Sequence, residues 1–379
     1  MASPGDLDTS FAGNGKKAIN FGGTDEAQAV LVQSNGRIVL AGSGGTSTSF
    51  CVARLRNNGL LDTTFGSRGK RKIDFGGEDE RAFAAALQAD GKIVVVGDSH
   101  VQQVAITRLN ANGALDTTFS ADGKKLFSWG VVSRATGVIV LSSGKLLLGG
   151  FSGPEGGNIQ AARLNANGAL DTTFGTGGIA TVDLGGTEFG NAMARQANGR
   201  LLIAGRSDVA GGVVVRLRTT GLLDPDFNGG HVSIPGAVTL NAVFVQPDRR
   251  IVVAGNTVGL EKMTVARLLP NGTPDGGFGT NGVVTIDFGT LADIVGGAVL
   301  QPDGKIVVAG YSQSDEDVAV VRLNANGSLD ATFGTAGKAK VDFGVATFGN
   351  AVALQKNGRI VVAGQRSGSD DFAVARLRG

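Results

Sequence analysis

This chain has little of what enzymes most often use. Its single cysteine, Cys51, excludes an internal disulfide and any zinc site made of thiolates. Two histidines, His100 and His231, leave little for imidazole chemistry. One Trp (Trp129) and one Tyr (Tyr311) stand against 19 Phe, so a lectin with an aromatic platform in every repeat has few residues to use. Only 8 prolines and no three-residue glycine period exclude collagen. No apolar run approaches the ~18 residues that mark a membrane-spanning helix. The segment Met1 to Asp8 lacks the apolar stretch of a secretion signal. A G-x-S-x-G elbow, a P-loop and an H-E-x-x-H pair are all missing. Neither charge sign dominates. Lys and Arg number 35 against 33 Asp and Glu, which argues against a nucleic-acid or anionic-membrane partner.

Glycine and aliphatics remain. Gly is 62 of 379 residues and hydrophobics are 42%, enough for a core and too many for a disordered chain. They fall into a repeat. Asp and Phe recur three apart, after Leu, at Asp8 and Phe11, Asp62 and Phe65, Asp116 and Phe119, Asp171 and Phe174, Asp224 and Phe227, and Asp330 and Phe333. A copy with Pro in place of Leu stands at Asp275 and Phe278. The interval is roughly 54 residues. Seven such units account for residues 1–379 as a single domain. Arg-Leu pairs keep the same step at Arg54, Arg108, Arg163, Arg216, Arg267, Arg322 and Arg376. So do basic residues that open short apolar runs: Arg37, Lys92, Lys145, Arg200, Arg250, Lys305 and Arg359.

One unit reads as four short strands. In the last, 349–355 is apolar and small, and Lys356-Asn357-Gly358 predicts a type I′ hairpin turn, with positive φ at both central residues. The β-branched run 359–364 suits a strand buried on both faces. Residues 365–371 form a polar loop, and 372–377 alternate. The fourth strand resembles 337–343 of the preceding unit. Glycines interrupt every helical window. Four-stranded units at this period predict an all-β, seven-bladed β-propeller with four antiparallel strands per blade. Residues 16–21 form a fourth strand without its first three, and 372–377 a third without its fourth. The ring is therefore expected to close by joining 1–22 to 344–379, which removes open edges. The rival, an open solenoid, would use shorter units and polar end caps.

The repeated residues have structural uses. Each turn Asp accepts backbone N–H groups, and each Phe is expected as a plug between neighbouring blades. The seven Arg would form either an anion-binding ring or structural staples to the Asp about eight residues on. An unpaired guanidinium mid-strand would be very costly, which favours the staples. The basic residues that open the second strands read as solvated ends, with an anion-binding rim as the alternative.

The strings 170–178, 299–312 and 372–377 resemble the bacterial delta-60 repeat over essentially the whole chain. The resemblance implies a β-propeller of largely unknown function, with many secreted or surface-associated members, and it carries over no catalytic residues. It departs at 128–137, where the usual Asp-Phe-Gly-Gly is lost, and at 231–238, which is shortened.

Strand order divides the loops between two faces. The first-to-second and third-to-fourth connections are nearly uniform. The second-to-third and fourth-to-first connections vary and are where binding is expected, near the central channel. Asp25, Glu26, Glu78, Asp79, Glu80, Glu188 and Asp293 lie in the fourth-to-first loops. Converging on the axis, they would make an acidic mouth for a cation or basic ligand; otherwise they are solvated. Asp315, Glu316 and Asp317, and Asp370 with Asp371, offer a weak calcium signal, and no cofactor is predicted. Cys51 reads as a small buried residue, and Trp129 as a substitute for a core Phe. A monomeric, non-enzymatic binding or scaffold module is expected, secreted or at a bacterial surface, for a protein, small ligand or glycan. The alternatives are a hydrolase or lyase with paired carboxylates at the channel mouth and a repeat lectin.

Overall fold

The computed structural model describes residues 3–46, 48–100, 102–153, 156–260, 262–313, 316–368 and 370–379. Among them, 28 strands build seven four-stranded antiparallel sheets. The blades are numbered 1 to 7 from the sheets that begin at Glu26, Arg81, Ser133, Glu188, Ala237, Asp293 and Thr347. Helix is limited to two short 3₁₀ turns, and no helix among the described residues is long and apolar enough to cross a membrane.

Blade 7 mixes the two ends of the chain. Lys16–Ile19 pairs antiparallel with Asp371–Leu377, with Ile19 opposite Phe372. That strand completes the sheet formed by Thr347–Leu354, Ile360–Arg366 and Asp371–Leu377. The ring is thus closed by backbone hydrogen bonds.

The turn that joins first and second strands departs from the expected type I′. In blade 7, the Gly358 N–H donates to the Gln355 carbonyl at 2.9 Å, and Gln355 N–H to the Arg359 carbonyl at 2.9 Å. Gly358 has φ +82°, while Asn357 is not left-handed. The turn is therefore type I followed by one left-handed residue. The Asn side chain decides it by accepting the Arg359 N–H at 3.2 Å, which holds Asn357 in right-handed space. Blade 5 makes the same turn with Arg249 at φ +71° where the other blades have glycine.

Each first strand carries a β-bulge one turn of pleat in from the variable face. The register shifts at Gln28, Phe83, Thr136, Asn191, Asn241, Gly296 and Asn350. A bulge re-aims a side chain, and here all seven line the axial channel. The core lies between blades, not within them. Seven apolar clusters each join two consecutive blades, and the one around Phe11 joins blade 7 to blade 1. Phe11, Phe65, Phe119, Phe174, Phe227, Phe278 and Phe333 are all buried in these clusters or beside them. Each contributes about 1.5–3 kcal/mol by burial.

Candidate functional site

On the uniform face, every repeat ties the same knot. Arg54 Nε lies 2.8 Å from Asp62 Oδ2, and the partners match at 2.6 to 2.8 Å for Arg108–Asp116, Arg163–Asp171, Arg216–Asp224, Arg267–Asp275, Arg322–Asp330 and Arg376–Asp8. The last pair fastens the N-terminal turn to the C-terminal strand. Each guanidinium also covers the Phe of its own motif, with Arg54 4.8 Å from the Phe65 ring centre. Most reach the next blade as well: Arg108 Nη1 donates to the Ala166 carbonyl at 2.6 Å, and Arg163 Nη1 to that of Thr219 at 2.8 Å. Each knot therefore joins third strand, turn and Phe plug, and most also bind the neighbouring blade.

The basic residues that open the second strands belong to these knots and are not solvated ends. Arg37 lies 3.0 Å from Asp62, Lys92 3.2 Å from Asp116, Lys145 2.8 Å from Asp171 and Arg200 2.9 Å from Asp224. Arg250, Lys305 and Arg359 reach Asp275, Asp330 and Asp8 in the same way. The reason is geometric. The second strand neighbours the third, so its first residue lies beside the Arg of the third-strand end. Burial works to raise Asp62, but hydrogen bonds from Thr64 and the charges of Arg54 and Arg37 outweigh it and hold the carboxyl below its usual range. Asp116 is held down to about 2 in the same way, against burial, by Thr118, Lys92 and Arg108.

The fourth-to-first acids do not gather on the axis. Asp25, Glu80, Glu188 and Asp293 are completely buried. Each accepts an N–H group of the loop that leads into its own blade, and Asp25 also one from the second-to-third loop. Asp25 takes Phe21 and, at 2.8 Å, Gly45; Glu80 takes Phe75 at 2.8 Å; Glu188 takes Gly186 at 3.1 Å; Asp293 takes Phe288 at 2.6 Å. Burial pushes Asp25, Glu80 and Glu188 up despite these bonds. Glu78 and Asp79 are exposed on the loop. Among the described residues, Glu26 alone of these acids bonds to a channel-lining side chain: it is half-buried, and its Oε1 accepts Asn350 Nδ2 of blade 7 at 3.1 Å.

The channel encloses about 570 Å³ and is lined by the first strands of all seven blades, with Tyr311 at its edge. At the bulge level it has a collar of polar side chains that link blade to blade. Thr136 Oγ1 donates to the Gly190 carbonyl at 2.6 Å, Asn191 Nδ2 to Leu240 at 3.1 Å, Asn241 Nδ2 to Val295 at 2.8 Å, and Asn350 Nδ2 to Ala27 at 3.1 Å. Among the described residues, Gln28 and Phe83 make no such link, and Gly296 has no room for one, because an added Cβ would stand 2.1 Å from the Gly349 carbonyl oxygen. Beyond the collar the lining turns small and apolar, with Ala29, Gly137, Ala192, Ala242, Gly297 and Ala351. The Asn-Ala pairs at 191–192, 241–242 and 350–351 were the only trace of the collar in the sequence.

Aromatic and charged side chains surround the collar on the variable face. Tyr311 and Phe348 meet edge to face at 4.8 Å, and Phe151 and Phe189 at 4.9 Å. Arg134 lies over both Phe83 and Phe151, at 5.1 and 5.3 Å, and 2.8 Å from the buried Asp98. Arg81 approaches the same Asp98 at 3.6 Å. Burial pushes Asp98 up although both arginines oppose it.

The remaining candidates are dispersed. His100 lies on the second-to-third loop of blade 2, and His231 opens the short outer strand of blade 4. Cys51 is buried, and burial pushes its thiol well above the usual range. Trp129 is buried edge-on to Phe127 at 5.7 Å, and its Nε1 donates to the Phe151 carbonyl at 3.0 Å. Asp315 lies outside the described residues. Among the described residues, no three His, Cys, Asp or Glu side chains gather as a metal site, Glu316, Asp317, Asp370 and Asp371 included.

Solved structures share the ring at very low identity. The chain is similar to a catalytically inactive virginiamycin B lyase from Staphylococcus aureus with quinupristin, at 10% identity and a TM-score of 0.60, covering 96% of this chain and 99% of that one. It is similar to YCF48 bound to D1 peptide, at 10% identity and 0.57, covering 100% and 98%. It is also similar to a chain of a mitotic checkpoint complex, at 12% identity and 0.58, covering 100% and 98%. No curated protein matches. At these identities the likeness is one of fold alone. Seven segments, 33–65, 88–119, 141–174, 196–227, 246–278, 301–333 and 355–378, match one family description, each running from the end of a first strand to the knot Phe or, in blade 7, through the third strand. The chain belongs to that family, "Domain of unknown function (DUF5122) beta-propeller".

Proposed function

We propose that this chain is a non-enzymatic binding propeller that captures a polypeptide partner on its variable-loop face, over the channel mouth. The observation that carries this reading is the contrast between the two faces. On the uniform face the repeated charges are turned inward, each onto a partner within its own repeat. On the variable face, Phe83, Phe189, Tyr311 and Phe348 stand half-exposed around an open channel. Val131 is 86% exposed, Leu291 81% and Val258 72% on the loops around it. Apolar and aromatic groups left at a rigid mouth suit a partner that buries them. The acids that a hydrolase would need are committed to backbone N–H groups, which supports binding over catalysis. The solved neighbour bound to a peptide is in keeping with a propeller in this role.

The test is a peptide array probed with the intact ring and with the Phe189→Ala/Phe348→Ala double variant. The reading expects hits that the double variant loses, with an unchanged denaturation curve. An array without hits, or hits indifferent to the substitutions, would refute it.

A further inference from the structure

We infer that the channel mouth is a subsite for one basic side chain, a Lys or Arg of the partner, received at blades 6, 7 and 1. The inference rests on the partner-binding reading above and names the chemistry of its anchor.

The collar has a polarity. The Nδ2 groups of Asn191, Asn241 and Asn350 are all bonded to carbonyls of the next blade, and Thr136 Oγ1 likewise. Asn191 and Asn350 spend their N–H groups in these and neighbouring bonds and keep their Oδ1 atoms for a ligand, whereas Asn241 Oδ1 already accepts Asn191 Nδ2 and the Thr239 hydroxyl, each at 3.3 Å. Asn350 Nδ2 also donates to the Glu26 carboxylate at 3.1 Å. An anion placed here would meet acceptors and a carboxylate. A cation would meet complementary groups on every side.

Charge and aromatic surface concentrate on one sector. Among the described residues, no ion pair reaches Glu26. The two arginines of the mouth, Arg81 and Arg134, both pair with Asp98, and Arg81 acts on Glu26 only at longer range. Burial, and after it the Glu26 charge, push the Tyr311 phenol up. The Tyr311–Phe348 pair offers ring faces for a cation–π contact. An ammonium or guanidinium that enters from the variable face and stops at the collar, with its methylenes against the Tyr311 and Phe348 rings at the mouth, meets these features. A half-buried carboxylate offset by no ion pair and only by the longer-range charge of Arg81 is also costly to keep, and a basic side chain would reduce that cost.

The experiment titrates three probes, N-acetyl-lysine methylamide, N-acetyl-arginine methylamide and N-acetyl-norleucine methylamide, into the full chain. NMR shifts of the channel Asn side-chain amides report occupancy. The lysine or arginine probe is expected to bind and the norleucine probe not. Glu26→Gln should weaken the basic probe about tenfold or more, because a hydrogen bond to a charged group is replaced by a neutral one. Should Glu26→Gln fail to fold, Tyr311→Leu should weaken the same probe severalfold while norleucine stays unbound. Norleucine binding as tightly as lysine, no binding by any probe, or basic probes indifferent to the substitution that folds would overturn the inference. The peptide array separates the two readings. Hits that lack Lys and Arg would leave the binding function standing and remove this subsite, whereas an empty array removes the function itself.

Discussion

Replacing Asp62 by Asn tests whether the repeated ion pairs hold the ring or merely decorate it. Asp62 accepts Arg54 at 2.8 Å, Arg37 at 3.0 Å and the Thr64 hydroxyl at 2.8 Å. Its two arginines differ sharply in setting: the Arg54 side chain is 5% exposed and that of Arg37 40%. Without the carboxylate, Arg54 keeps only the Ala111 carbonyl and Thr64 as partners in a buried site. Stranding a buried charge costs about 3–5 kcal/mol. Removing Arg37 instead, as Arg37→Met, breaks a half-exposed pair worth about 0.2–1 kcal/mol. The decisive variant is Asp62→Asn/Arg54→Met. It loses the cation–π contact with Phe65, about 0.5–2 kcal/mol, but no longer buries an orphan charge, so it should be more stable than Asp62→Asn alone. Urea denaturation followed by Trp129 fluorescence and by far-UV circular dichroism measures the order, and coincident curves show whether one transition is being read. The reasoning fails if Asp62→Asn costs less than Arg37→Met, or if the double variant is the least stable.

Three further outcomes are expected. The turn aspartates Asp8, Asp62, Asp116, Asp171, Asp224, Asp275 and Asp330 are held below their ordinary value, so their stabilisation is complete above pH ~4 and is lost as pH falls through the folded values, with Asp116 titrating near about 2. Asp25, Glu26, Glu80 and Glu188 are raised, so their protonation relieves a folding penalty; the thermal midpoint should hold or rise from pH 7 to ~4.5 and fall only below ~4, and a decline that begins above pH ~5 contradicts this. Arg249→Gly should raise the urea midpoint: a left-handed non-glycine residue costs about 1–2 kcal/mol and glycine returns only about 0.5–1 of that as chain entropy; a lowered midpoint refutes it. Deleting residues 1–22 strips the closing strand, Phe11 and the Asp8 partner of Arg376, and should give aggregation or a dye-binding molten state; a monomeric, cooperatively unfolding deletion variant would count against closure as a source of stability.

The ring was legible because each blade must meet its neighbours in the same way. An Arg at the end of a third strand, an Asp eight residues on and a Phe three beyond that are needed wherever two blades join, so the demand prints itself seven times in the chain. Closure was legible for the same reason, since the strand at Lys16–Ile19 lacked a sheet and the strand at Asp371–Leu377 lacked an edge partner. Two kinds of feature were hidden. The role of Arg37 and its counterparts depends on the lateral neighbour across a sheet, which spacing along the chain does not state. The type I turn at Gln355–Gly358 turned on one side-chain hydrogen bond that the Asn-Gly dipeptide also permits in the mirror-image form. The fourth-to-first carboxylates misled for a related reason: a short acid beside a glycine turn reads as solvated or as a ligand, while the tight turn itself supplies N–H groups that bury it.

The channel was least legible of all, and the cause is general to rings of near-copies. The bulge aims one residue from each blade at the axis, but what every blade requires there is only a link to the next carbonyl. Asn191, Asn241 and Asn350 supply it with an amide, Thr136 with a hydroxyl, Gly296 avoids it by close backbone approach, and Gln28 and Phe83 do without it, so no single letter marks all seven blades. Seven identical copies would also leave a sevenfold symmetric lumen with no preferred side. A ligand on the axis can be oriented only by positions that break the pattern. Glu26, Phe83, Tyr311 and Phe348 break it, and they do so in different blades around the same mouth. In such a chain the repeated letters report the scaffold, and recognition has to be sought in the exceptions that the fold brings to one end of the axis.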